Sequence, residues 1–151
     1  MRYMMKKLFI FVFIFLGLNV VNGCPFFLSK YFVNIHSSIH NDNVTLRCQS
    51  KDDDLGSHML SPNNDYEWSF CQSFSRATLF FCHFWWNNNE QIFDVFNSTM
   101  GEWCREGRPE GDICRWLVRE DGFYFYEPIE YGRWLKQYYW KPVSKTSLTY
   151  G

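Results

Sequence analysis

Residues 78–96 read TLFFCHFWW, then NNNE, then QIFDVF. The first run, Thr78 to Trp86, is dense in aromatic residues and apolar on both faces, which predicts a central strand covered on both sides. Asn87-Asn88-Asn89-Glu90 reads as a turn, because asparagine tolerates left-handed backbone conformations. Gln91 to Phe96 returns as the hairpin partner. Working outward, Val44 to Ser50 places Val44, Leu46 and Cys48 on one face and Thr45, Arg47 and Gln49 on the other, the alternation of a half-buried strand. Asp65 to Phe70 repeats it, with Tyr66, Trp68 and Phe70 on one side. Phe32 to His36, Cys114 to Arg119 and Gly122 to Tyr126 complete the set. Glu120-Asp121-Gly122 joins the last two, and Asp-Gly is a strong hairpin signal. Short strands at roughly ten-residue spacing, with few helical periods, predict an all-β fold: a small antiparallel β-sandwich of about seven or eight strands. Gly132 to Trp140 reads as one more edge strand or a short helix, and residues 141–151 as a loose polar tail.

The segment before these strands has another character. Arg2, Lys6 and Lys7 precede the apolar run LFIFVFIFLGLNVV, residues 8–21, and Val21-Asn22-Gly23 offers a cleavage site. That is the pattern of a secretory signal peptide covering residues 1–23. A membrane anchor is the competing reading, but a spanning helix needs about 20 apolar residues and this run is shorter. A bacterial lipoprotein site at Cys24 is opposed by Asn22 and by the glycan sequons below. The expected mature domain is 24–140, and the expected location is extracellular. Losing Arg2, Lys6 and Lys7 lowers the cationic count from 15 to 12 against 16 acidic residues, a net charge near −4. That balance gives no electrostatic reason to expect nucleic acid or an anionic membrane surface as partner.

Six cysteines remain: Cys24, Cys48, Cys71, Cys82, Cys104 and Cys114. An even count in a short secreted chain reads as disulfides, whose pairing the residues themselves leave open. Zinc would require close pairs such as C-x2-C, which the spacing lacks. Aromatic residues form 21% of the chain, enough to exclude disorder and to fill a dense core.

Asn43-Val44-Thr45 and Asn97-Ser98-Thr99 are glycosylation sequons at strand ends, so Asn43 and Asn97 are the expected acceptors. Asp52-Asp53-Asp54 lacks the spaced carboxylates and terminal glutamate of a calcium loop and reads as a solvated turn closed by Gly56. His36, His40, His58 and His83 form no metalloprotease pair, and no nucleophile elbow or phosphate loop is present. Cys82 and His83 are adjacent on a strand and point to opposite faces, so they cannot act as a nucleophile–base pair. Trp85 and Trp86 are candidates for stacking on carbohydrate, against a simpler role in the core.

VTLRCQSKDDDLG (44–56), His58, YEWSF (66–70), TLFFC (78–82), FDVF (93–96), Cys104, CRW (114–116) and Asp121-Gly122 together resemble the plant self-incompatibility protein family, the S-protein homologues. The resemblance spans roughly Phe32 to Tyr126. It implies a secreted β-sandwich with two family disulfides among Cys48, Cys82, Cys104 and Cys114. The pairs expected from it are Cys48–Cys114 and Cys82–Cys104. Cys24 and Cys71 are additions to the family pattern and are expected to form a third bridge that ties down the new N-terminus. The aromatic tail after Tyr126 also departs from that pattern.

The resemblance implies an extracellular signalling ligand, recognised by a cell-surface receptor in pollen rejection or another developmental signal, with no cofactor and no catalysis. Recognition is expected on Ser37 to Asn43, Ser50 to Asn64, Asn87 to Glu90, Asn97 to Asp112 and Arg119 to Gly122, with Asp52, Asp53, Asp54, Asn88, Glu120 and Asp121 as candidate contact residues. The alternative is a carbohydrate- or wall-binding module using Trp85 or Trp86. A hydrolase is disfavoured, because no nucleophile, base and orienting group assemble.

Overall fold

The alternation of large apolar side chains along each strand gives every strand one face to bury, and two sheets packed face to face bury them all. The computed structural model describes residues 23–25, 27–104, 109–128, 130 and 132–143. The expected signal peptide and the tail after Val143 lie outside the described residues. In chain order the elements are β1 (Lys30–Ser37), β2 (Val44–Gln49), β3 (Asp54–Leu60), β4 (Asp65–Cys71), β5 (Phe80–Trp86), β6 (Asn89–Phe96), α1 (Ser98–Trp103), β7 (Asp112–Arg119), β8 (Gly122–Glu127), β9 (Arg133–Tyr138) and β10 (Lys141–Pro142). The first sheet has the order β4-β1-β7-β8-β9 and the second β10-β6-β5-β2-β3. Every pairing is antiparallel except β1 with β7, where Tyr31 lies beside Asp112 and Ser37 beside Val118.

The expected sandwich is therefore present, with more strands than anticipated. β3 occupies much of the segment expected to be a loop from Ser50 to Asn64. Gly132 to Trp140 resolves to a strand, β9. The supposedly loose tail begins with β10, in which Lys141 pairs with Glu90 and Pro142 with Asn89.

β5 is central to its sheet, as anticipated, but it is covered on one face only. Phe80, Cys82 and Phe84 are buried, whereas Phe81, His83 and Trp85 are half-buried on the outer face. The sequence pattern misleads here because the outer apolar side chains are partly shielded by their neighbours on the same face rather than by another layer. The core between the sheets is aromatic: Phe84 packs on Phe93 and Phe123, and Trp116 on Phe93 and Phe125, with centroids 4.9–5.1 Å apart. β6 carries an extra residue opposite β5, since Phe80 pairs with Phe96 and Phe81 with Asp94. That bulged residue, Val95, turns its carbonyl to the other sheet, where the Trp116 indole N–H donates to it at 2.9 Å.

The disulfides are Cys24–Cys71, Cys48–Cys82 and Cys104–Cys114. The expected bridge between Cys24 and Cys71 is formed. The other two expectations, Cys48–Cys114 and Cys82–Cys104, are incorrect. Cys48 and Cys82 are register partners on the adjacent strands β2 and β5. Cys114 belongs to the opposite sheet, where Cys104, just after α1, reaches it. The turn between β7 and β8 depends on Gly122, whose φ is +137° and whose missing Cβ would collide with the Tyr138 carbonyl.

Candidate recognition surface

The strand register divides the loops between two rims of the sandwich. One rim holds Ser38–Asn43, Ser61–Asn64, Asn87–Asn88 and Arg119–Gly122. It is knitted together by Ser38 N–H donating to Val118 O at 2.9 Å, Asn63 N–H to Ser37 O at 2.8 Å, and the Trp140 indole to Arg119 O at 2.9 Å. A shallow cavity of about 280 Å³ there is lined by Ser38, His40, Arg119, Glu120 and Asp121. Asp121 is a carboxylate already engaged: Lys136 Nζ donates to it at 2.6 Å and the Tyr124 hydroxyl at 2.5 Å. Those two bonds, with Arg119 nearby, hold its pKa below the ordinary carboxylate value, and Asp121 in turn raises that of Lys136. Asn88 offers its carbonyl to Val143 N–H at 2.9 Å, so its backbone serves the β10 connection.

The opposite rim carries Ser50–Asp53, Gln72–Leu79, α1 and the Cys24–Cys71 bridge. Here the acidic run divides. Asp54 opens β3 and forms a fork with Arg47, 2.5 Å from its Nη2. It also accepts from Gly56 N–H at 3.0 Å. The hydrogen bonds from Arg47 and Gly56 lower its pKa to about 2, so Asp54 is a structural anion on the β2–β3 ladder. Asp52 and Asp53 remain exposed on a turn closed by Ser50, whose Oγ accepts from both of their N–H groups at 3.3 and 3.0 Å. They border a cleft of about 600 Å³ whose other wall is Ser73, Ser75, Ala77 and Thr78 and whose floor includes Phe70 and Phe80.

That second wall went unread in the sequence. Gln72–Leu79 is a turn fixed by Ser73 N–H donating to Thr78 Oγ1 at 2.8 Å and Ala77 N–H to Ser73 Oγ at 3.0 Å. It presents Phe74, 87% exposed, and Phe27 beside it is 60% exposed. Both line a second hollow of about 240 Å³ with Tyr31, Arg76 and Glu102. The serine spacing S-F-S around an apolar residue was the available signal, since serine caps turns and nothing there alternates.

The two sequon asparagines differ. Asn43 is exposed, and its amide reaches Met59 Sδ at 3.3 Å. Asn97 is the N-cap of α1, its Oδ1 accepting from Met100 N–H at 3.0 Å.

The histidines are dispersed. His36 contacts Asp65 at 3.1 Å, His58 lies 2.7 Å from Leu55 O and 2.8 Å from the Tyr66 hydroxyl, and His83 lies 2.9 Å from Glu90. Cys82 faces the core within its disulfide while His83 faces outward, as the alternation required. Among the described residues no group of three or more His, Cys, Asp or Glu is placed to hold a metal ion, and no helix is long and apolar enough to cross a membrane. Trp85 lies on the outer face against His83, whereas Trp86 packs on Trp140 at the core margin, so the two cannot form one platform.

These features define a disulfide-stapled β-sandwich that displays loops on a rigid frame. The model of the plant self-incompatibility protein S1 family matches residues 32–140, and the chain belongs to that family. It is 30% identical to S-protein homolog 5 of Arabidopsis thaliana over 91% of this chain and 100% of that protein. It is 35% identical to S-protein homolog 29 of the same plant, over 77% of this chain and 83% of the relative. A solved structure of self-incompatibility protein homologues, described as a widespread family of small, highly stable, secreted proteins from plants, shares the fold: its TM-score is 0.51 at 12% identity, covering 79% of this chain and 96% of that one. The extracellular location expected from the sequence agrees with that family description.

Proposed function

We propose that this protein is an extracellular signalling ligand, non-enzymatic, recognised by a cell-surface receptor through the rim that carries the Cys24–Cys71 bridge. The observation that supports this reading is the pair of exposed aromatics, Phe74 and Phe27, held on a hydrogen-bonded turn beside Asp52 and Asp53. Large apolar side chains on preorganised backbone are the usual anchors of protein interfaces, because ordering them costs little on binding. The bridge ties Cys24, the expected first residue of the mature chain, to this rim. In this reading Asp54 shapes the loop beside it, Asp52 and Asp53 meet the partner, and Glu120 and Asp121, on the opposite rim, take no part.

The test is saturable binding of purified, oxidised mature protein to live cell surfaces, pollen tubes included. Phe74→Ala is expected to weaken binding at least tenfold, and Asp52→Asn with Asp53→Asn several-fold, with unfolding curves unchanged. Full binding by Phe74→Ala and the double variant refutes this rim as the contact. Binding to a glycan array that is lost in Trp85→Ala, with none to cells, favours the wall-binding reading.

A further inference from the structure

The outer face of the second sheet carries apolar side chains set among polar ones. Across β3, β2 and β5, Met59, Thr45 and Trp85 stand in one row that ends at Glu90 of β6, and the next row runs Ser57, Arg47, His83 and Ile92. Met59 is 69% exposed and Ile92 54%. His83 stacks on Trp85 with centroids 3.8 Å apart. Met59 and Trp85, separated by Thr45 alone, form the apolar stretch of this face.

A candidate covering is attached at the edge of this stretch. Asn43 immediately precedes β2, two residues before Thr45, so strand alternation puts its side chain on the same outer face. Its Nδ2, the atom that would carry a glycan, already lies 3.3 Å from Met59 Sδ. From Met59 to Trp85 is two strand spacings, about 10 Å, a span within the reach of an N-glycan core of several sugars. The C–H faces of such sugars suit a thioether and an indole ring. Asn97 offers no equivalent: its amide oxygen caps α1 and it adjoins no such face.

We infer that Asn43 is an N-glycosylation site whose glycan lies across the outer face of the second sheet and covers Met59 and Trp85. The inference rests on passage through a glycosylating secretory route and is independent of the receptor reading. It leaves the bridged rim uncovered.

The test uses the full chain secreted from a eukaryotic host. Peptide mapping after enzymatic deglycosylation reads occupancy at Asn43, and oxidation by hydrogen peroxide reads the exposure of Met59, with Met100 as internal reference. Thr45→Ala removes the sequon while keeping the Asn43–Met59 contact. Occupied Asn43, with Met59 oxidised at least threefold more slowly than in Thr45→Ala and Met100 unchanged, is the expected result. An unoccupied Asn43, or equal Met59 rates in the two forms, overturns the inference. Equal protection of Met59 in both forms together with a dimer in both assigns the face to a second copy of the chain and overturns it equally.

Discussion

Replacing Trp116 by phenylalanine probes an indole that ties the two sheets together. Trp116 is 1% exposed, and its N–H donates to the carbonyl of the bulged residue Val95. Phenylalanine removes the donor and leaves that buried carbonyl without it, at a cost of about 1–3 kcal/mol. The smaller ring also vacates roughly 40 Å³ between Phe93 and Phe125, adding about 1 kcal/mol at some 24 cal/mol per Å³. The sum, about 2–4 kcal/mol, is a large part of the ~5–15 kcal/mol stability of an ordinary domain. Guanidinium unfolding followed by tryptophan fluorescence, with disulfides intact, is the assay, and the midpoint is expected to fall by about 1 M. A loss below about 1 kcal/mol would show that the bulge carbonyl finds another donor, and the account of how the sheets are joined would be wrong.

Peptide mapping of the oxidised protein is expected to return Cys24–Cys71, Cys48–Cys82 and Cys104–Cys114. Removing the first as a Ser/Ser pair is expected to cost up to about 4 kcal/mol and the last about 2.7, from chain entropy alone, because they close loops of 47 and 10 residues. Gly122→Ala should lose several kcal/mol, or fail to fold, since the left-handed φ and the Tyr138 carbonyl both oppose a side chain; expression and thermal melting check it. Asn97→Ala should lose about 1 kcal/mol, whereas Asn97→Asp, which keeps a cap while removing the sequon, should lose much less, as read by urea unfolding. Asp54 has a folded pKa of about 2, below its ordinary value of 3.8. Its pairing with Arg47 therefore stabilises the fold above the ordinary value, and that contribution is lost as pH falls from about 4 through 2. The stability difference between the protein and Asp54→Asn should close over that window, and a constant difference would contradict the assignment.

Strands with one strongly apolar face were legible in the sequence. Val44, Leu46 and Cys48 point inward as the alternation requires, and so do Phe80, Cys82 and Phe84. β3 was not legible: Asp54 to Leu60 starts in an acidic run, contains Gly56 and buries only Leu60 fully, because it is an edge strand held by its ladder to β2. α1 has six residues, fewer than two helical turns, and its signal is the Asn97 cap that also spells a sequon. Of the candidate contact residues, Asp52, Asp53 and Glu120 stand at the surface, while Asp54 and Asp121 are engaged in ion pairs. That difference depends on Arg47 and Lys136, one across a bulge and the other fifteen residues away, which no local pattern reveals. The partners of Cys48, Cys82, Cys104 and Cys114 were misjudged for the same reason, since pairing follows which strands become neighbours.

The parallel pairing of β1 with β7 has a consequence for synthesis. β2–β3 and β5–β6 are local hairpins, and Cys48–Cys82 joins neighbours within their sheet, so that half can assemble while the chain is still emerging. β1 is made first but gains its parallel neighbour only when β7 has left the ribosome, some 75 residues later. Until then Phe84 and Phe93 lack Trp116 and Phe123, their partners across the core, and that half of the aromatic interior stays uncovered.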